Sequence, residues 1–138
     1  MIFQNSINIT TKQRGTSKIT DQVGSIVSAS GVSTGLCNVF IQHTSASLII
    51  TENADPTVRV DLDGFMADLV IDGHPSYRHN LEGDDDMSAH IRSVLTQTEI
   101  TMPITNNRLA LGTWQGIFVW EHRTGHFNRR ITVTVYGE

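Results

Sequence analysis

The chain has 138 residues, a net charge of −4, 38% hydrophobic residues and one cysteine. That size suits one globular domain of ordinary composition, and a lone Cys37 rules out an intrachain disulfide scaffold. The longest apolar run, Ile117-Phe118-Val119-Trp120, is far short of the ~20 residues a membrane span needs. A general nucleic-acid binder needs a basic face, so neither nucleic acid nor membrane is an expected partner. Met1–Ser6 has no basic start, apolar stretch or cleavage-like site, and the expected location is the cytoplasm.

Phe3, Ile7 and Ile9 oppose Gln4, Ser6, Asn8 and Thr10, the period-two pattern of a strand with one buried face. Asp21 is placed to cap a short helix in which Val23, Ile26 and Val27 share one side and Gly31 supplies the stop. Leu36 to His43 is β-rich and mostly apolar on both faces, which predicts a central strand. Ser47 to Thr51 reads as its continuation or neighbour. Asp55-Pro56 puts an N-cap before a proline at the first helical position, and Val58, Leu62, Phe65, Met66, Leu69 and Val70 follow as one apolar stripe. Asp72-Gly73-His74-Pro75 ends that helix, a polar loop fills 73–85, and Met87, Ile91, Val94 and Leu95 mark a second helix starting near Asp86. Strands return over Thr98 to Ile104, Arg108 to Leu111, Gln115 to His122 and Arg129 to Tyr136. Asn106-Asn107 makes a hairpin turn without glycine, because Asn tolerates positive φ. With no repeat or linker, the expectation is one α+β domain over residues 1–138, mainly antiparallel, packed as a two-sheet β-sandwich with two to three helices.

Charge is unevenly spread. Residues 52–86 hold ten of the fourteen acids against only Arg59 and Arg78, whereas the segments on either side each carry +2. Arg123, Arg129 and Arg130 cluster near the C-terminus, and Arg suits a bidentate grip on carboxylate or phosphate. The pattern points either to a cation site and an anion site or to a solvated acidic helix with charged strand edges. His79 and His90 flank Asp84-Asp85-Asp86. Asp86 and His90, four apart, share one helix face, where a carboxylate fixes the imidazole tautomer as it does behind metal-bound histidines. The same acids also serve simply as partners of the helix dipole. His43 precedes Thr44, Ser45 and Ser47, a set that either faces a cavity and donates to an anion or leaves a core histidine satisfied by backbone. Gly112-Thr113-Trp114-Gln115-Gly116 brackets an aromatic ring and an amide with glycines, allowing close approach of a ligand or a neighbour, or a β-bulge. Glu121 beside Arg123 reads as a surface pair, and Cys37 as a buried small hydrophobe. No phosphate loop, serine elbow or dinucleotide fingerprint is present.

Five segments in register resemble the YjbQ-like family over essentially the whole chain. They are Gln42-His43-Thr44-Ser45-Ala46-Ser47-Leu48, Glu52-Asn53-Ala54-Asp55-Pro56, His79 through Glu82-Gly83-Asp84-Asp85-Asp86-Met87-Ser88-Ala89-His90-Ile91, Gly112-Thr113-Trp114-Gln115-Gly116-Ile117, and Glu121-His122-Arg123 with Arg129-Arg130. Thr96 and Asn107 stand where that family often has glycine. The resemblance implies a compact β-sandwich, a homotrimer with pockets near subunit interfaces, and a small histidine-lined cavity for a divalent metal or a sulfate-like anion. It also implies the activity of a secondary thiamine-phosphate synthase, a transferase joining a pyrimidine pyrophosphate to a thiazole phosphate. His43, His79 and His90 are then the expected metal ligands, for Zn²⁺ or a similar cation, with Mg²⁺ suited to a pyrophosphate substrate. Asp86 and Glu121 are the expected catalytic carboxylates. Thr44, Ser45, Ser47, Trp114, Gln115, Arg123 and Arg130 are the expected contacts to a phosphorylated small molecule. The alternatives are a non-catalytic metal or small-ligand binding protein and a metal-assisted hydrolase.

Overall fold

The computed structural model describes residues 1–138 and contains two antiparallel sheets and three helices. The larger sheet joins β1 (Ile2–Thr11), β8 (Phe127–Gly137), β3 (Gly35–Ile41), β5 (Glu99–Thr105) and β6 (Arg108–Leu109), in that order. The smaller sheet joins β2 (Gly15–Lys18), β7 (Gln115–Glu121) and β4 (Ala46–Glu52). The helices are α1 (Thr20–Ser30), α2 (Pro56–Leu69) and α3 (Asp84–Leu95), and none is long and apolar enough to cross a membrane. Terminal strands β1 and β8 pair from Ile2 opposite Tyr136 to Thr11 opposite Phe127, so the chain ends meet. As expected of a strand apolar on both faces, β3 is central, held between β8 and β5. Ser47 to Thr51 belongs to neither its continuation nor its neighbour: the chain turns after His43 and enters the other sheet as β4.

Alternation in both sheets delivers one apolar cluster of 19 buried residues, including Val39, Ile41, Leu48, Ile117, Val119, Ile131 and Val133, closed by Val23, Ile26 and Val27 of α1. Cys37 is fully buried there, and burial pushes its thiol up to about 11, so it is packing and not a nucleophile. The Asn106-Asn107 turn has φ of 52° and 61°, the two positive angles that a two-residue hairpin demands. The Asn107 amide also donates to the carbonyls of Val27 and Val32 at 3.1 and 2.7 Å, a tether from the hairpin to the end of α1 that glycine would lack.

The helix ends and faces differ from expectation in instructive ways. Ile19, without a side-chain cap, precedes α1, and Asp21 lies in its first turn; Thr20 Oγ1 instead accepts the Ile117 N–H at 2.9 Å. Asp55 does cap α2, accepting from Thr57 N at 2.9 Å. Only half of the α2 stripe is covered: Met66 and Val70 pack on Trp120, while Phe65 is 66% exposed and Leu69 also faces solvent. The largest departure is α3. Its buried side is Asp86, Ser88, Ala89, Arg92 and Ser93, while Val94 and Leu95, expected in the core, are exposed. A helix that turns one aspartate, two serines and an arginine inward is shaped by polar partners more than by the apolar core.

Candidate functional site

Three aspartates open α3, where the positive end of the helix dipole favours them. Asp85 accepts from Arg123 Nε at 3.2 Å and from the Thr124 backbone N–H at 2.8 Å, which anchors the helix to the corner between β7 and β8. Asp86, one position on and almost fully buried, points the other way. Its Oδ2 lies 2.7 Å from His79 Nε2 and 3.3 Å from His90 Nε2, and its Oδ1 lies 3.5 Å from an Arg123 nitrogen. One ligating atom from each of His79, Asp86 and His90 falls within 4.8 Å of the others.

Donor chemistry decides the tautomers. His90 Nδ1 is 2.9 Å from the Thr44 carbonyl, which only accepts, so Nδ1 carries a proton and Nε2 is the ring's remaining site, a lone pair in the neutral imidazole and a second N–H in the imidazolium. That site faces Asp86 Oδ2, an acceptor. His79 Nε2 donates to the same oxygen. Burial works against ionisation of Asp86, but the His79 and Glu82 side chains and the charges of His90 and Arg123 outweigh it and hold its carboxyl below the ordinary range. The cluster thus presents a carboxylate oxygen on which two imidazole nitrogens converge, at 2.7 and 3.3 Å.

Glu121, expected as a catalytic carboxylate or a surface pair, is neither. It is fully buried, and both oxygens are saturated: Oε1 accepts from Thr11 Oγ1 and Arg129 Nε, each at 2.7 Å, and Oε2 from Arg129 and from the Arg123 N–H at 3.1 Å. Arg129 in turn donates to Ser45 O at 3.2 Å and Ser45 Oγ at 3.0 Å. Two arms therefore run from Glu121 to the cluster, one through Arg129 and Ser45 to the Thr44 carbonyl that holds His90, the other through Arg123 to Asp85 and Asp86. Glu121 positions the site without reaching it.

The other expected residues divide. His43 stands apart from the cluster, because its Nε2 accepts the Arg130 N–H at 2.8 Å. Burial, and then the charge of Arg129, lower its pKa. Ser45 and Ser47 turn into the protein, Ser47 Oγ lying 2.8 Å from His122 Nε2, so neither lines a ligand site. Thr44 is exposed. Arg123 is committed to Asp85, Asp86 and the Glu82 carbonyl, which leaves no free fork for phosphate. Arg130 is exposed with no side-chain partner. Trp114 and Gln115 lie at the far end of β7 from Glu121, roughly 20 Å away at strand rise. The bracketing Gly116 has a local reason: a Cβ there would meet Asn53 Cβ at 2.9 Å, so the glycine makes room for a neighbour rather than a ligand. Sequence reasoning missed Arg92 altogether, and it named Arg129 and His122 only within the arginine cluster and the Glu121-His122-Arg123 segment, with no sign that all three are buried.

A two-sheet α+β protein with a His₂Asp cluster at the head of an inward-polar helix is the class that the geometry defines. The chain belongs to the UPF0047 YjbQ-like family, whose model matches residues 5–138. It is 52% identical over 135 residues to a UPF0047 protein of Synechocystis, covering 98% of this chain and 92% of the relative, and 40% identical to YjbQ of Escherichia coli O157:H7 over the full length of both. Among solved structures it resembles a conserved hypothetical protein of Thermus thermophilus (TM-score 0.85, 35% identity, 96% of this chain and 99% of that one). It also resembles a YbjQ-like protein of unknown function from Sulfolobus solfataricus (TM-score 0.87, 28% identity, all of both chains).

Two measurements check the buried polar layer. Glu121→Ala strands the Arg129 charge and is expected to cost about 3–5 kcal/mol in urea unfolding, whereas Glu121→Met with Arg129→Met costs much less than the two single changes together. A double variant as unstable as the sum of the singles contradicts the pairing. His122 is the second case. Burial, then the charges of Arg92, Arg14 and Arg129, depress its pKa to about 3 against 6.5 in the unfolded chain. The unfolded state therefore binds the extra proton between those values, and stability falls as pH drops through that window, by at most about 1.4 kcal/mol per pH unit. Between pH 6.5 and 5, the stability slope of His122→Gln is expected to be flatter than that of the wild type; equal slopes would remove His122 from the account.

Proposed function

We propose that His79, Asp86 and His90 hold a divalent cation of the Zn²⁺ type, and that the protein acts on a small organic molecule beside it. The carrying observation is the convergence of His79 Nε2 and His90 Nε2 on Asp86 Oδ2, at 2.7 and 3.3 Å, a set of three ligating atoms that a shared proton or a cation completes. Tetrahedral Zn²⁺ with bonds near 2.0–2.1 Å sets its ligand atoms roughly 3.3 Å apart; the His90–Asp86 separation of 3.3 Å already matches this, while His79 Nε2, 2.7 Å from Asp86 Oδ2, gives up its shared proton and draws back on binding. Two imidazoles and one carboxylate suit a borderline cation, while Mg²⁺ prefers oxygen donors and belongs with a diphosphate-bearing substrate. When bound, such an ion supplies Lewis acidity to a substrate oxygen. The chain's own part is to orient and insulate: the Thr44 carbonyl fixes the His90 tautomer, Arg123 moderates the charge of Asp85 and Asp86, and burial of Asp86 excludes water from one side of the site.

The resemblance adds the transferase reading, thiamine-phosphate synthesis from two phosphorylated halves. Its support is Arg130, whose backbone N–H bonds His43 while its exposed guanidinium has no side-chain partner and is available to a phosphate. The same family likeness gives a homotrimer, supported by the uncovered half of the α2 stripe around Phe65 and Leu69.

Metal binding is tested by zinc titration of purified apoprotein. Stoichiometric uptake is expected for the wild type, with binding abolished in His90→Ala, weakened at least about tenfold in Asp86→Asn, and within about threefold of wild type in His43→Ala. A His90→Ala protein that keeps its full complement of zinc would sink the assignment. Sedimentation equilibrium over a hundredfold dilution is expected to give three times the 15.3 kDa chain mass. A species of 15.3 kDa throughout removes the trimer.

A further inference from the structure

The remaining clefts differ sharply in chemistry. The one between the β1–β2 connection and α2 is ringed by Lys12, Arg14, Arg59 and Asp63, but its charges are mostly engaged: Arg14 with Asp72 and the His122 carbonyl, Arg59 with the Glu52 carbonyl, Asp63 with Trp120. A second cleft, of about 540 Å³, lies between the end of β3 and the last turn of α3. Phe40, Ile41 and Val94 give it apolar walls, His43, Thr44 and Ser93 supply polar atoms, and no Lys, Arg, Asp or Glu lines it.

Two of those polar groups have no partner in the protein. His43 Nε2 accepts the Arg130 N–H, so the ring proton sits on Nδ1, which donates to no atom of the chain. Ser93 is 9% exposed, and its buried Oγ makes no hydrogen bond, not even the return to the preceding turn common for helical serine. An unpaired buried hydroxyl is unfavourable, and rotation about one side-chain bond offers it to a guest.

We infer that this cleft binds a neutral, planar, hydrogen-bond-accepting group, such as a nitrogen heteroaromatic ring or its amide, as the organic-substrate subsite beside the cluster. Neutrality follows from the lining, since an ion entering there would lose hydration with no countercharge in return. Planarity follows from Phe40 and Val94, which favour aromatic surface. The acceptor requirement follows from the two free donors. Placement follows from Thr44, which lines the cleft while its carbonyl receives His90 Nδ1–H at 2.9 Å, and from Ser93 and Val94, three and four residues after His90 on the same helix. Ser93 and Val94 thus lie one helical turn from His90, their Cβ atoms about 5–6 Å from its own. The role as a subsite rests on the metal reading; the binding of a neutral ring does not.

The test titrates metal-free protein with nicotinamide and with nicotinate, an uncharged and an anionic ligand of nearly the same shape, following backbone amide shifts. Nicotinamide is expected to bind with a dissociation constant of about 1–10 mM, usual for a ligand of about nine heavy atoms, with shifts confined to residues 40–44 and 93–98. Nicotinate is expected to bind at least about tenfold more weakly. Val94→Asp, on an exposed position, abolishes nicotinamide binding and leaves zinc uptake unchanged, while Ser93→Ala weakens nicotinamide about three- to tenfold. No shifts in those segments up to about 20 mM, or nicotinate binding as well as nicotinamide, overturns the inference. Nicotinamide binding lost in Val94→Asp, in a protein whose wild type takes up no zinc, removes the metal reading and the subsite role while the cleft's preference for a neutral ring stands.

Discussion

Glu121 carries its charge with no exposure to water, and the arrangement around it determines what the rest of the molecule can do. Removing a carboxylate and a guanidinium from water costs several kcal/mol per ion, and their attraction offsets this only when every remaining lone pair and proton is matched. Here the match is complete for Glu121: two bonds from Arg129, one from Thr11 and one from the Arg123 backbone. The partners come from β1, β7, β8 and the corner after β7, so the pair clamps the two sheets together where the apolar cluster ends. It is also directional. A fully satisfied ion pair tolerates no alternative rotamer of Arg129, and through Ser45 that rigidity reaches the Thr44 carbonyl, which decides which nitrogen of His90 is left to face Asp86.

The inward-polar face of α3 accompanies that arrangement at some cost in stability. Arg92 is almost fully buried, donates to the Val70 carbonyl at 3.0 Å, and leaves its Nε without a partner. Asp72, gripped by Arg14 at 2.7 and 2.9 Å and by Ser88, ties the segment after α2 to the same helix. Stability and site are therefore divided between two layers. The apolar cluster between the sheets and α1 holds the fold, and a polar layer under α3 holds the geometry of His79, Asp86 and His90. Substitutions in the first layer should act on the fold as a whole, and those in the second on the site before the fold.

Much of the architecture was legible because it depends on local pattern. Alternation located β1 and β8, a run apolar on both faces located β3, Asp55-Pro56 marked the start of α2, and two adjacent asparagines marked the hairpin. The pairing of Asp86 with His90 was equally local, a matter of four residues on one helix. What failed was everything that needed a partner distant in sequence. Periodicity says that Met87, Ile91, Val94 and Leu95 share a side of α3, but not which side the core takes, and the aspartates and Arg92 won that choice. Glu121 and Arg129, eight residues apart, look like surface charges until the corner between β7 and β8 folds them back on each other. His43 belongs to the same motif as Thr44, yet the backbone of Arg130 occupies its nitrogen. Gln115 shares a strand with Glu121 but sits at its opposite end, with Trp114 in the turn before it.

Whether the histidines draw a cation or an anion turns on charge. Asp85 and Asp86 contact Arg123, and Glu82 lies 3.9 Å from His79, so three carboxylates share the neighbourhood with one guanidinium. The positive end of the α3 dipole offsets about half a charge more. With neutral imidazoles the site remains negative by more than one unit, a poor host for sulfate or phosphate and a good one for a dication. The cleft of Phe40, Val94 and Ser93 next to it carries no charge at all, so the pull on a cation is confined to the cluster at the head of α3.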